Sequence, residues 1–164
     1  MESPMSLLAE SRHRKLTKEE IQEYSEKGFL VVKDFFPLEE LQEIDAEMTR
    51  LRSSPEGQEG VEIEKNFLFR LGLRSELTRS LVADERIVDL IEDVVKPGVA
   101  IYSSKLCEKP PQDTTICHWH QDDAYYRENS ESEARMSIWI PLQNCDQTNG
   151  CIWFVPGSHR KGLQ

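Results

Sequence analysis

Pro97-Gly98-Val99-Ala100-Ile101-Tyr102-Ser103-Ser104-Lys105-Leu106-Cys107 is the stretch at which the chain changes character. Upstream of it, apolar residues recur at three- and four-residue steps, the period of a helix face. Downstream they gather in short runs parted by turn-forming residues, the habit of strands. Proline lacks a backbone donor and glycine has unusual backbone freedom, so Pro97-Gly98 closes the helical regime. The runs Val99 to Cys107, Ile116 to Asp122, Met136 to Leu142 and Cys151 to Val155 form the extended one. Between them stand Gln147-Thr148-Asn149-Gly150 and Pro156-Gly157-Ser158. Helices first and strands after, without βαβ alternation, predict an α+β, mainly β architecture: an antiparallel sandwich or barrel with helices packed outside.

Working back from Pro97, Asp84 has the chemistry of a helix cap, and Ile87, Val88, Ile91, Val94 and Val95 follow it at helical spacing; this predicts a helix over 84–96. Pro37 suits a first helical turn. Leu38, Leu41, Ile44, Met48 and Leu51 make one apolar face, so a second helix is expected over 37–52. Ser53 to Gly60 reads as a polar loop. Thr17-Lys18-Glu19-Glu20 has the spacing of a capping box, Ile21 and Tyr24 share a face, and Gly28 ends the helix expected over 17–27. Phe29 to Val32, apolar and partly β-branched, predicts a short strand. Residues 1–16 lack a period and read as a loose leader, leaving 17–164 as one domain.

Composition narrows the functional classes. The chain has 164 residues with 30 acidic against 20 basic, a net charge of -10. That argues against nucleic acid, whose phosphate backbone needs clustered cations. The one basic cluster, Arg12-His13-Arg14-Lys15, is short and reads as a solvated tail. No stretch approaches the roughly 20 apolar residues that span a bilayer, so no membrane partner is expected. Neither a secretory signal nor a peroxisomal address is present, and a cytoplasmic location is expected. Cys107, Cys117, Cys145 and Cys151 form no CxxC pair, which predicts reduced thiols.

The densest chemistry lies in Cys117-His118-Trp119-His120-Gln121-Asp122-Asp123. On a strand, residues two apart share a face, so His120 and Asp122 would present an imidazole and a carboxylate together. Those are two ligands of the two-histidine, one-carboxylate triad that holds ferrous iron and leaves three positions open. Two other readings stand beside this one. His120 is an ordinary hydrogen-bonded histidine in the first, and in the second His118 and His120 hold zinc with Cys117 nearby. Trp119 is expected to face the core.

The wider context carries a resemblance. Trp119-His120-Gln121-Asp122 followed by Tyr125-Tyr126 resembles the W-H-Q-D-x-x-Y-Y/W pattern of the phytanoyl-CoA dioxygenase family of Fe(II)- and 2-oxoglutarate-dependent dioxygenases. Trp139 to Pro141 and the block Asn149 to His159, with Asn149-Gly150 and Pro156-Gly157-Ser158-His159, are similar to that family's downstream motifs. Lys109-Pro110-Pro111 resembles its K-P-P, and Gly28 to Val32 its N-terminal strand. The matches run in order from about residue 17 to the end, and the block from 109 to 159 carries most of them.

The resemblance implies a double-stranded β-helix, or jelly-roll, cupin-like core with the N-terminal helices outside. It implies Fe(2+), with 2-oxoglutarate and O2 as cosubstrates, and hydroxylation of a small organic substrate. His120 and Asp122 would be the catalytic iron ligands. Trp139 would line the 2-oxoglutarate pocket, and Lys105 falls where the family places a cosubstrate contact of another residue type. His159, in the Pro-Gly-Ser-His turn, is not an iron ligand in that family. The family's distal histidine and the arginine that pairs with 2-oxoglutarate come later, and nothing follows Gln164. The chain is therefore expected to be a fragment or a natural short form that lacks the distal strands. The alternative to an enzyme is an inactive truncated product serving as a metal-binding or interaction module. Substrate and oligomeric state are not legible.

Overall fold

In the computed structural model, which describes residues 14–55, 63–64, 66–95, 98–113, 116–126 and 135–163, the first helix starts and stops at its caps. Helix α1 (Lys18–Lys27) begins from an extended Thr17 whose hydroxyl accepts from the Glu20 N–H, while the Glu20 carboxylate accepts from the Thr17 N–H. The helix ends at Gly28, in the left-handed region at φ 83°, whose N–H donates to Tyr24 O at 2.7 Å. A Cβ at Gly28 would lie 2.3 Å from His159 Nδ1, so both backbone angle and space select glycine. Gly28→Ala is expected to lower the unfolding free energy by at least about 1 kcal/mol from the left-handed backbone alone. Urea denaturation measures this, and an unchanged midpoint would refute it.

Helix α2 (Leu38–Ser53) turns Ile44, Met48 and Leu51 inward. Leu38, expected on the same face, is exposed, because the first turn runs past the edge of the core. Helix α3 (Glu76–Val82), not foreseen in the sequence, is capped by Ser75, whose hydroxyl accepts from the Thr78 N–H. Helix α4 (Glu85–Glu92) is capped by Asp84, whose carboxylate accepts from the Arg86 N–H. It ends at Glu92, short of the expected residue 96, and a turn follows from Asp93; Lys96 and Pro97 lie outside the described residues. Of the expected leader, residues 1–13 lie outside the described residues, as does most of the Ser53 to Gly60 loop. The Leu16 N–H donates to Asp93 Oδ2 at 2.7 Å.

Strands β1 (Ile63–Glu64), β2 (Phe67–Phe69) and β3 (Lys105–Cys107) form an antiparallel sheet in that order. Leu68 stands opposite Leu106, and Phe67 opposite Cys107. Leu68 is wholly buried and meets Ile44, Met48, Leu51 and Leu71, with Leu77, Leu81, Leu106 and Leu142 packed around them. The core thus draws on α2, α3, the sheet and the later extended segment. Thr78 is fully buried within it and donates to Leu71 O at 2.6 Å, so its hydroxyl is not left buried without a partner; the same carbonyl also accepts from the Arg74 N–H at 2.9 Å.

A second anchor joins α2 to α4. Arg86, only 5% exposed, donates to both carboxylate oxygens of Glu40, through Nη1 at 3.0 Å and Nη2 at 2.5 Å. It also donates to both oxygens of Asp84, with Nη2 at 2.6 Å from Oδ2. Its guanidinium carbon lies 4.9 Å from the centroid of Phe36 and 5.9 Å from that of Phe35. The hydrogen bonds it donates to Asp84, then those it donates to Glu40, hold Arg86 above its already high ordinary pKa against the opposing effect of burial.

The described architecture is helices with a small antiparallel sheet, and several strand expectations need correction. Of Val99 to Cys107, only Lys105–Cys107 is laddered. Ile116 to Asp122, Met136 to Leu142, Cys151 to Val155 and Phe29 to Val32 join no ladder among the described residues. An extended run becomes a strand only where a neighbour takes its N–H and C=O groups, and periodicity does not reveal neighbours. Trp119 is likewise 69% exposed rather than in the core. The four cysteines are free thiols. Among the described residues no helix is long and apolar enough to cross a membrane.

Candidate metal centre

His120 and Asp122 come together although their segment pairs with no strand. His120 Nε2 lies 3.4 Å from Asp122 Oδ1. The segment is held by a turn that follows it and by one of its own side chains. Downstream, the Ala124 N–H donates to Gln121 O and the Tyr125 N–H to Asp122 O, each at 3.0 Å. These bonds start the short helix α5 (Asp123–Tyr126). Gln121 Nε2 donates to Gly162 O at 3.1 Å, which ties the segment to the far end of the chain.

Each partner's other polar atom is occupied. His120 Nδ1 lies 2.8 Å from His118 O. A carbonyl only accepts, so Nδ1 carries a proton, which assigns the tautomer by its hydrogen bond. A histidine that ligates a metal is neutral, and in that form its Nε2 lone pair faces Asp122. On the carboxylate, Oδ2 accepts from Ser137 Oγ at 3.1 Å, and Oδ1 faces His120. In that form two acceptors face each other, an arrangement that a proton or a metal cation between them makes favourable. Two donors held at right angles on one ion, each roughly 2.1 Å from it, stand about 3 Å apart. The observed separation fits adjacent coordination positions. Both side chains are partly open to solvent, and the Tyr125 ring meets the His120 ring edge-on, with centroids 5.8 Å apart.

The other sequence candidates fall as follows. Trp139 is about half exposed and follows Ser137 by two residues in the segment that reaches Asp122. Lys105 stands on β3 with its ammonium 5.3 Å from the Phe67 ring centroid, which places it against the small sheet. Cys117 Sγ lies 3.8 Å from His120 Nδ1, on the side of the ring away from Asp122. His159 is engaged elsewhere: its ring lies over Gly28 and its Nε2–H donates to Ser25 O at 3.1 Å. Among the described residues no group of three His, Cys, Asp or Glu side chains converges as a metal site. Ser137 is the contributor that the sequence did not reveal. A serine in an extended run has no distinguishing pattern, and its contact spans fifteen residues.

Comparison with known proteins places the chain in a family. The chain is 30% identical over 153 residues to an ectoine dioxygenase of Streptomyces anulatus, covering 88% of this chain and 52% of that protein. It is 27% identical to a probable alpha-ketoglutarate-dependent hypophosphite dioxygenase of Stutzerimonas stutzeri, over 87% of this chain and 53% of that protein. To the peroxisomal phytanoyl-CoA dioxygenase of Mus musculus it is 25% identical, over 91% of this chain and 49% of that protein. The chain spans about half the length of the curated relatives it matches. The family profile for phytanoyl-CoA dioxygenase matches from residue 24 to residue 164, through the His120–Asp122 pair, and the chain belongs to the phytanoyl-CoA dioxygenase family.

Proposed function

We propose that the protein is an Fe(II)- and 2-oxoglutarate-dependent dioxygenase that hydroxylates a small molecule, with His120 and Asp122 as two protein ligands of its iron. The observation that carries this reading is the approach of His120 Nε2 to Asp122 Oδ1 at 3.4 Å, each side chain braced from behind by a hydrogen bond. Family membership supports the choice of iron over zinc, as do relatives whose names include an alpha-ketoglutarate-dependent dioxygenase. Residues 17–164 are proposed to belong to one domain of double-stranded β-helix type.

A bound ferrous ion would supply the oxidative chemistry, with 2-oxoglutarate and O2 as cosubstrates. The residues of this chain hold and shield. The neutral His120 ring offers Nε2, and Asp122 offers a carboxylate whose negative charge favours a divalent cation. Trp139 is proposed to form an apolar wall for 2-oxoglutarate, and Lys105 to contribute positive charge toward it.

The test is an assay of the intact protein with Fe(II), 2-oxoglutarate and O2 across a panel of small-molecule substrates, following succinate. The expected result is succinate release that requires Fe(II), disappears with a chelator and is not restored by Zn(II). Purification under anaerobic conditions with stoichiometric zinc and no iron-dependent succinate would overturn the proposal.

A further inference from the structure

We infer that Ser137 is a positioning residue for the metal centre, one that turns the Asp122 carboxylate so that Oδ1 faces His120. The inference rests on the proposed reading of His120 and Asp122 as ligands and adds a residue to it. Ser137 Oγ donates to Asp122 Oδ2 at 3.1 Å, on the side away from His120 Nε2. A carboxylate on a short side chain rotates about its last bond with little resistance. With Oδ2 held by a hydroxyl, that rotation is restricted and Oδ1 stays 3.4 Å from His120 Nε2. The contact has the same form as the brace on the other ligand, where His118 O fixes His120 through Nδ1 at 2.8 Å. One brace comes from the ligand segment's own backbone. The other comes from a separate segment, so Ser137 also registers residues 135–141 against the ligand pair. Hydrogen-bonding partners of metal-ligating carboxylates and imidazoles orient the ligand before the ion arrives, and their loss typically lowers metal affinity by about 10- to 100-fold.

Ser137 itself is exposed, so its replacement leaves no cavity and no buried orphan. The experiment measures Fe(II) affinity of the intact protein under anaerobic conditions, by competition with a colorimetric chelator, for Ser137→Ala, Ser137→Thr, Asp122→Ala and the Ser137→Ala/Asp122→Ala double variant. Thermal unfolding of each metal-free protein is followed in parallel. Ser137→Ala is expected to weaken Fe(II) binding by about tenfold or more with an unchanged metal-free midpoint. Ser137→Thr, which keeps the hydroxyl, should restore most of the affinity. In the Asp122→Ala background the serine should no longer matter, because it acts through that carboxylate. An unchanged affinity in Ser137→Ala while Asp122→Ala loses iron overturns the inference and leaves the ligand assignment standing. A Ser137→Ala effect that persists undiminished in the Asp122→Ala background overturns it too. Full Fe(II) affinity in Asp122→Ala overturns the ligand assignment, and this inference with it.

Discussion

Arg86→Ala is expected to lower the unfolding free energy by about 3–5 kcal/mol, the cost of leaving a buried charge without its partner. The guanidinium is nearly enclosed, and so are the carboxylates it serves, with side-chain exposures of 10% for Glu40 and 9% for Asp84. Removing the cation leaves two carboxylates facing each other across a desolvated gap. It also strips the face of Phe36, which lies 4.9 Å from the guanidinium carbon. Arg86→Lys should recover only part of the loss. An ammonium is a point donor and cannot present a fork to two carboxylates while stacking on a ring. The contrast is the Arg50–Glu47 pair within α2, where the cation is half exposed and its loss leaves Glu47, 15% exposed, without a second charge facing it among the described residues. Breaking that pair should cost no more than about 1 kcal/mol. Urea denaturation of the two variants side by side measures the difference, and equal losses would refute the account.

His120→Ala and Asp122→Ala are each expected to reduce Fe(II)-dependent succinate formation by the intact protein to the background seen without iron. A ferrous site that must keep open positions for 2-oxoglutarate and O2 has few protein ligands, so the loss of one leaves the ion poorly held. Asp122→Asn separates charge from shape. It keeps an oxygen near His120 but removes the negative charge, and should lose iron almost as fully as Asp122→Ala. His159→Ala is the matched control among the histidines. Its ring lies against α1 rather than at the pair, so iron binding should survive while stability falls. Near-normal turnover in His120→Ala or Asp122→Ala, or loss of iron in His159→Ala, would contradict the assignment.

How much of this was legible depended on the range of the interactions. Helices α1, α2 and α4 could be read because caps and apolar periods lie within a few residues: Thr17 with Glu20, Asp84 with Arg86, Ile44 with Met48 and Leu51. Ser75 with Thr78 is the same kind of signal for α3, but no long apolar face follows it to mark a helix. The sheet was less legible. β2 pairs with β3 across nearly forty residues, and nothing near Phe67 announces Cys107. The extended runs after Gly98 were recognised as extended, but pairing is a property of two segments. At the site, the juxtaposition of His120 and Asp122 could be foreseen from their spacing. The tautomer and the Ser137 brace could not, since both are set by atoms whose positions only folding decides.

The clasp at the end of α1 carries a consequence for biosynthesis. Ser25 O accepts from His159 and, at 2.9 Å, from Arg160, and Lys27 O accepts from the Gly157 N–H at 2.8 Å. These partners lie up to 135 residues further along the chain. At translation rates of about 5–20 residues per second, the N-terminal helix waits roughly 7–27 s for them. A ten-residue helix is too short to persist alone in water. During that interval α1 has its local caps at Thr17 and Gly28 but none of the distant partners that anchor it, so it is a fluctuating segment. Its docking is therefore a late event in maturation, although its residues are among the first synthesised.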